Sequence, residues 1–290
     1  MSGKIIDGRA ISREIYASLE PRISELTKAL GRPPCLVGIE CQLIPEIEAY
    51  IRSQKKIANR LGIEYKHRQV APYEESMQEA LEMVSRDDSI DGVLIHTPLP
   101  EGVDLFNVLP YLSPDKDVEG ISPRNTFSLF WHRGQVIPTT SKAVLRILDE
   151  IGYDLYGKEI AMVGQGVVVG RPLTILLAQK RATVRLCHLP TYKTGKLKGH
   201  LSESDVVIAA VGSAEVIKGE WIKQGAVVID VGINEVNGRL VGDVEFEAAK
   251  EKASMITPVP GGVGPVTVAM LMENLVLITE RKSCEPNRDN

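Results

Sequence analysis

Cysteine is scarce in this chain: Cys35, Cys41, Cys187 and Cys284 are the only four in 290 residues, with no C-x-x-C pair and no spacing of a disulfide framework. With only five histidines beside them, no metal site is expected, and the thiols read as the reduced cysteines of a cytoplasmic protein. An excess of basic charge is missing too. The 34 Lys+Arg against 38 Asp+Glu leave a formal net charge of −4 and a pI near 5.8, which excludes a global field for nucleic acid or an anionic membrane. No apolar run is expected to approach the roughly 18 residues of a membrane span, so no membrane partner is expected. The opening residues, MSGKIIDGRAISREIY, lack the apolar core of a signal peptide and read as mature protein. Internal repeats and low-complexity tracts are absent, and only residues 281–290 read as a disordered tail.

What is present is ordinary for a globular protein: 43% hydrophobic and 25% charged residues, in a length of about two typical domains. Over residues 9–30, Ile11, Ile15, Leu19, Ile23 and Leu26 fall on one helical stripe, which Gly31-Arg32-Pro33-Pro34 ends. The run 35–43 suits a buried strand, 48–61 a helix stopping at Gly62, 77–84 another helix, and Val93-Leu94-Ile95 a further strand. This alternation predicts parallel βα units with right-handed crossovers. Residues 98–138, rich in Pro, Gly, Asp and Asn, read as a long irregular stretch of functional kind. Ser141 is expected to cap a helix over 142–150, and strands over 159–163, 183–187, 206–211 and 227–231 restart the alternation. The boundary is placed near 138–150. One α/β domain takes 1–138 plus a helix returning after about Thr267 (268–290), and a nucleotide-binding domain takes 139–267.

The strand Ile160-Ala161-Met162-Val163 runs into Gly164-Gln165-Gly166 and then Gly170-Arg171-Pro172 and an apolar helix. Strand, glycine turn and helix is the context of a dinucleotide site, where glycines admit a pyrophosphate to the backbone at a helix N-terminus. A tight βα turn with no ligand has the same local pattern. Two further apolar strands end in glycine, at Ala210-Val211-Gly212 and at Asp230-Val231-Gly232-Ile233-Asn234, and ligands bind at such carboxyl ends. The segment from Thr257 to Thr267, with Pro258, Pro260, Gly261, Gly262, Gly264 and Pro265, makes a stiff loop presenting backbone groups ahead of a helix.

Taken jointly with Lys4-Ile5-Ile6-Asp7-Gly8, Tyr50, Asp91-Gly92-Val93-Leu94-Ile95, Pro98-Leu99-Pro100, Lys116-Asp117-Val118 and Gly242-Asp243-Val244, these motifs resemble the bifunctional methylenetetrahydrofolate dehydrogenase/methenyltetrahydrofolate cyclohydrolases, nearly from end to end. The resemblance implies a two-domain α/β fold, an N-terminal folate-binding domain and a Rossmann-like nucleotide-binding domain with a cleft between them, assembled as a homodimer. It implies hydride transfer from 5,10-methylenetetrahydrofolate to NAD or NADP. It assigns Tyr50, Gln54 and His96 to the catalytic positions and Tyr50, Pro98, Leu99, Glu119, Pro260, Gly261 and Gly262 to the substrate. To the cofactor it assigns Gly164, Gln165, Gly166, Gly170, Arg171, His188, Val211, Gly212, Asp230, Gly232, Ile233 and Thr267.

Three of these positions depart from the family pattern. Gln54 stands where the family has its catalytic Lys, His96 where a Gln positions that Lys, and Glu119 where an Asp grips the pterin. Lys55 and Lys56 are turned about 100° and 200° around the helix and do not replace the lost lysine. Addition of water to the methenyl carbon needs proton transfer that an amide cannot supply, whereas hydride transfer asks the protein mainly to align donor and acceptor. Dehydrogenase activity with weak or lost cyclohydrolase is therefore expected. The alternatives are a diverged member acting on a modified pterin or another substrate, and a still bifunctional enzyme with His96 as base. The family's NADP signature, Gly-Arg-Ser and His-Ser-x-Thr, reads here Gly164-Gln165-Gly166 and His188-Leu189-Pro190-Thr191, which leans the cofactor toward NAD. No acidic residue stands at 184–190 for a ribose 2′-hydroxyl; Arg171, Arg185 and Lys193 are the nearby bases, read as solvated.

Overall fold

The computed structural model describes residues 2–134 and 136–284. In chain order the elements are β1 (Lys4–Ile5), α1 (Gly8–Leu30), β2 (Cys35–Glu40), α2 (Pro45–Leu61), β3 (Glu64–Gln69), α3 (Glu74–Arg86), β4 (Gly92–Ile95), α4 (Leu105–Val108), α5 (Pro123–Phe130) and α6 (Thr139–Glu150). There follow β5 (Glu159–Val163), α7 (Gly170–Gln179), β6 (Thr183–Cys187), α8 (Leu189–Lys193), α9 (Leu197–Glu203), β7 (Val206–Ala209), β8 (Val227–Asp230), β9 (Asn234–Val236), β10 (Arg239–Val241), α10 (Phe246–Lys252), β11 (Met255–Ile256) and α11 (Val263–Cys284).

The chain divides into two units. One comprises residues 14–139 and those from 268 on; the other comprises residues up to 13 and 140–267. In the first unit, β3, β2 and β4 form a parallel sheet in that order. Every residue of β2 and β4 is buried, as expected of strands covered on both faces by crossover helices. The expected stripe of α1 delivers Ile15, Leu19, Ile23 and Leu26 to the core, and α3 adds Met77, Ala80, Leu81 and Val84. Strand β3 was not anticipated: its sequence EYKHRQ buries only Tyr65, because an edge strand needs no apolar run. The stretch read as irregular carries α4 and α5, which its turn-forming residues nucleate. Asp104 caps α4 by accepting the Phe106 N–H at 2.9 Å, and buried Asp117 accepts from the backbone of Gly120 and Ser122 and from Asn125 Nδ2 at 2.7–3.0 Å.

The second unit has six parallel strands in the order β1-β11-β8-β7-β5-β6. The N-terminal residues, expected in the other domain, lie here because β1 pairs with β11, Lys4 opposite Met255 and Ile5 opposite Ile256. From β5 the chain runs through α7 to β6 on one side, and later returns to β7 on the other side. That reversal opens a crevice at the carboxyl end of β5. Helix α6 begins at Thr139, so Ser141 is no cap; its hydroxyl donates to the Val169 carbonyl at 3.2 Å.

Helix α11 starts at Val263, ahead of the expected Thr267. Over Val263–Ser283 it holds an 18-residue stretch with mean hydropathy 1.4, long and apolar enough to cross a membrane, contrary to expectation, but 72% of that stretch is buried inside the protein. It is a core helix, and burial on all sides removes the polar face that would mark it as amphipathic. Of the tail expected to be disordered, residues 281–284 complete α11 and residues 285–290 lie outside the described residues.

Candidate functional site

In the second unit the candidate nucleotide site is built by close-packed glycines. Gly164 follows β5 with φ +111, and a Cβ there would run into the Ala210 carbonyl after β7; a Cβ on Gly170 would strike the carbonyl of Gly164. Both glycines hold the turn shut, so that the N-terminus of the ten-residue α7 faces the crevice. Gly166 has nothing within 4 Å of where its Cβ would stand, so the backbone there is open to a ligand. Gln165 and Arg171 are exposed beside it. At the end of β6, His188 Nδ1 is buried with no hydrogen-bond partner among the described residues. Arg185, read as solvated, instead pairs with Glu203 at 2.6 Å and Glu159 at 3.2 Å.

Two aspartates brace the next two loops. Asp230, at the end of β8, accepts the backbone N–H groups of Gly232, Asp243 and Val244 at 2.9–3.1 Å, and burial lifts its carboxyl to about 6 against the pull of those bonds. Asp243, fully buried, accepts the N–H groups of Val211, Gly212 and Ser213 at 2.6–3.0 Å and Asn234 Nδ2 at 3.0 Å. The two are interlocked: a Cβ on Gly232 would meet the Asp243 carboxylate, and one on Gly242 would meet that of Asp230. Val211 and Ile233 are left exposed at the strand ends. Asp243 was not expected as a site residue, although it stands in the Gly242-Asp243-Val244 motif.

The proline-glycine loop 258–265 and Asp230, Val231, Gly232 and Ile233 line a cavity, joined by Arg9 from the start of α1. Pro260 follows a cis peptide bond, Gly261 has φ +110, and Gly262 lies so close to Gly8 that a Cβ on Gly8 would collide with its carbonyl. The Thr267 hydroxyl donates to the Val263 carbonyl at 3.2 Å within α11.

In the first unit the three departing positions lie at the carboxyl end of the sheet. Tyr50 and Gln54 sit one turn apart on α2, Tyr50 about a third exposed and Gln54 fully buried. Lys55 and Lys56 point to solvent. His96 follows β4, with its ring edge-on to Tyr50 at 6.2 Å and to His67 at 6.5 Å between centroids. The Tyr65 hydroxyl donates to Gln54 Oε1 at 3.0 Å and lies 3.1 Å from His96 Nε2. Burial, with His67 adding to it, pushes the His96 imidazole down to about 4, so it is uncharged at neutral pH. A bridge between Val93 and Asp117 carries Glu119 alongside β4, where Ile95 N–H donates to its Oε2 at 3.2 Å. Burial first, and then the charge of Asp117, push the Glu119 carboxyl up to about 8. The Tyr50 phenol is raised by burial and by Glu119, against a downward pull from the Gln54 side chain. Pro98 follows a cis bond, accepts from Gln42 Nε2 at 2.8 Å, and leads into Leu99, which lines a shallow depression with Glu74 and residues 100–105.

Tyr65, His67 and Glu40 were missed. Glu40 is a carboxylate inside the apolar run of β2, buried with neither oxygen hydrogen-bonded and His67 Nε2 3.6 Å away. That lone charge in a buried strand was the visible signal; Tyr65 had none, since β3 was not expected. Cys35, Cys41 and Cys187 are buried free thiols, and no cluster of metal-ligating side chains occurs among the described residues.

A doubly wound parallel sheet with this glycine crevice, accompanied by an α/β unit rich in buried polar groups, defines a protein of two α/β domains with the crevice of a nucleotide-binding enzyme. Residues 6–119 match the tetrahydrofolate dehydrogenase/cyclohydrolase catalytic domain and residues 138–283 the tetrahydrofolate dehydrogenase/cyclohydrolase NAD(P)-binding domain. The bifunctional protein FolD 2 of Geobacter sulfurreducens is 44% identical over 274 residues, covering 93% of this chain and 94% of that protein. The Trypanosoma brucei methylenetetrahydrofolate dehydrogenase-cyclohydrolase, solved with NADP and an inhibitor, superposes with a TM-score of 0.92 at 32% identity, covering 98% of this chain and all of that one. The NAD-dependent 5,10-methylenetetrahydrofolate dehydrogenase of Saccharomyces cerevisiae superposes with a TM-score of 0.81 at 26% identity, covering 97% of this chain and 98% of that one. The chain belongs to the tetrahydrofolate dehydrogenase/cyclohydrolase family and is an NAD(P)-dependent oxidoreductase of one-carbon metabolism.

Proposed function

We propose that this enzyme is a 5,10-methylenetetrahydrofolate dehydrogenase whose cyclohydrolase activity is weak or lost. The observation that carries the reading is the state of the catalytic position: Gln54 is fully buried, its carbonyl taken by Tyr65, and the neighbouring His96 is a neutral imidazole held near 4. An amide cannot take a proton from an attacking water, and an imidazole held near 4 is a weak base at neutral pH, which also weighs against His96 as base. A bound nicotinamide supplies the hydride acceptor. Gly164, Gly166, Gly170 and the N-terminus of α7 fit its pyrophosphate, with His188 and the loops after β7 and β8 framing the rest. Hydride abstraction leaves a cation on the pterin, and a neutral Gln54 opposes that charge less than an ammonium would.

The decisive measurement is loss of methenyltetrahydrofolate absorbance without nicotinamide, corrected for buffer hydrolysis. The unmodified protein is expected to stay near the buffer rate, and Gln54→Lys to raise hydrolysis by about tenfold or more. Strong hydrolysis by the unmodified protein, abolished in His96→Ala, would overturn the single-activity reading.

For the cofactor, NAD is expected to serve at least as well as NADP. Gln165, Gly166 and Leu189 offer no guanidinium for a 2′-phosphate, and Arg185 is tied to Glu159 and Glu203. The check is the ratio of kcat/KM for the two dinucleotides. A clear preference for NADP would assign the phosphate to Arg171 or Lys193. A cytoplasmic homodimer is the setting this reading implies, with buried free Cys35, Cys41 and Cys187 agreeing with a reducing compartment.

A further inference from the structure

Among the described residues Gln54 Nε2 is buried without a hydrogen-bond partner, although Gln54 Oε1 is held by the Tyr65 hydroxyl at 3.0 Å. A phenol has one proton to give. With that proton on Gln54, the 3.1 Å contact to His96 must be an imidazole Nε2–H donating to the Tyr65 oxygen. The low pKa of His96 agrees, since a neutral ring carries one proton and here it sits on Nε2. The result is a one-way chain, His96 to Tyr65 to Gln54, in which each hydrogen bond polarises the next. Gly38 makes room for it: a Cβ there would press on the Tyr65 hydroxyl and stand 2.7 Å from His96 Nε2. The Gln54 NH2 group is near the Tyr50 phenol, whose pKa it pulls downward, yet it is buried with no hydrogen bond of its own, and a buried donor left open calls for a partner that arrives from outside.

We propose that Tyr65 is a positioning residue of the pterin site: it fixes the Gln54 amide so that the NH2 group is presented to a hydrogen-bond acceptor of the bound pterin, as an uncharged donor. The inference rests on the reading above that Gln54 stands in the pterin site. Without the Tyr65 hydroxyl the amide is free to turn over, setting its oxygen against the acceptor. His96 acts one step further back, by holding the Tyr65 oxygen and so directing its proton to Gln54.

The test is a double-mutant cycle on the full-length protein, Tyr65→Phe and Gln54→Met singly and together, read as the Kd for tetrahydrofolate by calorimetry. Each single change is expected to weaken binding about tenfold, and Tyr65→Phe to have no further effect once Gln54 is Met. Weakening by the same factor in both backgrounds would overturn the proposal, because a merely structural Tyr65 acts whether or not the amide is present. Should Tyr65→Phe not fold, the side-chain amide protons of Gln54 in the unmodified protein, identified by their loss in Gln54→Met, give the reading by nuclear magnetic resonance. A downfield shift on adding tetrahydrofolate supports the proposal, and no shift overturns it. Non-additive binding without any hydride transfer would sink the dehydrogenase reading and leave the positioning role; hydride transfer with additive losses would do the reverse.

Discussion

An Asp243→Ala protein is expected to lose about 4 kcal/mol of stability and most of its dinucleotide affinity together. The carboxylate is fully buried and accepts three successive backbone N–H groups, from Val211, Gly212 and Ser213, besides Asn234 Nδ2. Removing it strips four donors of their acceptor at once. Val211, Gly212 and Ser213 are exposed, so water recovers part of the loss; without that, the sum of four orphaned donors would be larger still. The loop they form closes over Gly164 through the Ala210 carbonyl, so loosening it also loosens the turn that faces the cofactor. Urea unfolding and calorimetric titration with NAD check the two halves. Asp243→Asn keeps one acceptor oxygen and should fall between. A loss below about 1 kcal/mol with unchanged NAD affinity would mean that the loop holds itself.

Tetrahydrofolate binding is expected to tighten about tenfold from pH 6 to 7 and about fivefold from pH 7 to 8, and to release a proton at neutral pH. Glu119 is held at about 8 by burial and by Asp117, so at pH 7 its carboxyl is mostly protonated in the free enzyme. The amino and ring N–H groups of a pterin need an acceptor, which only the ionised form supplies fully. Ligand binding therefore favours the carboxylate, and apparent affinity follows its ionised fraction up to about pH 8. The sign for folding is the opposite. The native state holds a proton that the unfolded chain gives up near 4.5, so this group's contribution is fully present below that value and is lost as pH rises through about 8. Calorimetry in buffers of different ionisation enthalpy counts the proton. Glu119→Gln should flatten the profile, and a flat profile in the unmodified protein would remove Glu119 from pterin binding.

The glycine turn of the nucleotide crevice was legible because its constraint is local: Gly164 and Gly170 are required by contacts within one βα turn and the adjoining strand end. The departures at Gln54, His96 and Glu119 were legible because a familiar pattern marks the positions where other residues are expected. What those side chains do there was not. A sequence shows that His96 is a histidine, but only packing shows that it is buried, neutral and bonded to Tyr65.

By itself, then, the sequence determined the alternation of strands and helices, the crevice turn, the stiff loop before α11 and the family, all properties of short segments or of residues in fixed order. Tertiary structure decided the rest. It put β1 in the nucleotide sheet through a partner some 250 positions away in the chain, Lys4 against Met255. It turned α11 from a helix apolar enough for a membrane into a core helix. It also gathered Gly38 of β2, Tyr65 of β3 and His96 after β4, with Tyr65 reaching Gln54. Pairing partners, burial and proton affinity depend on which residues meet in space, and no periodicity within a segment encodes that.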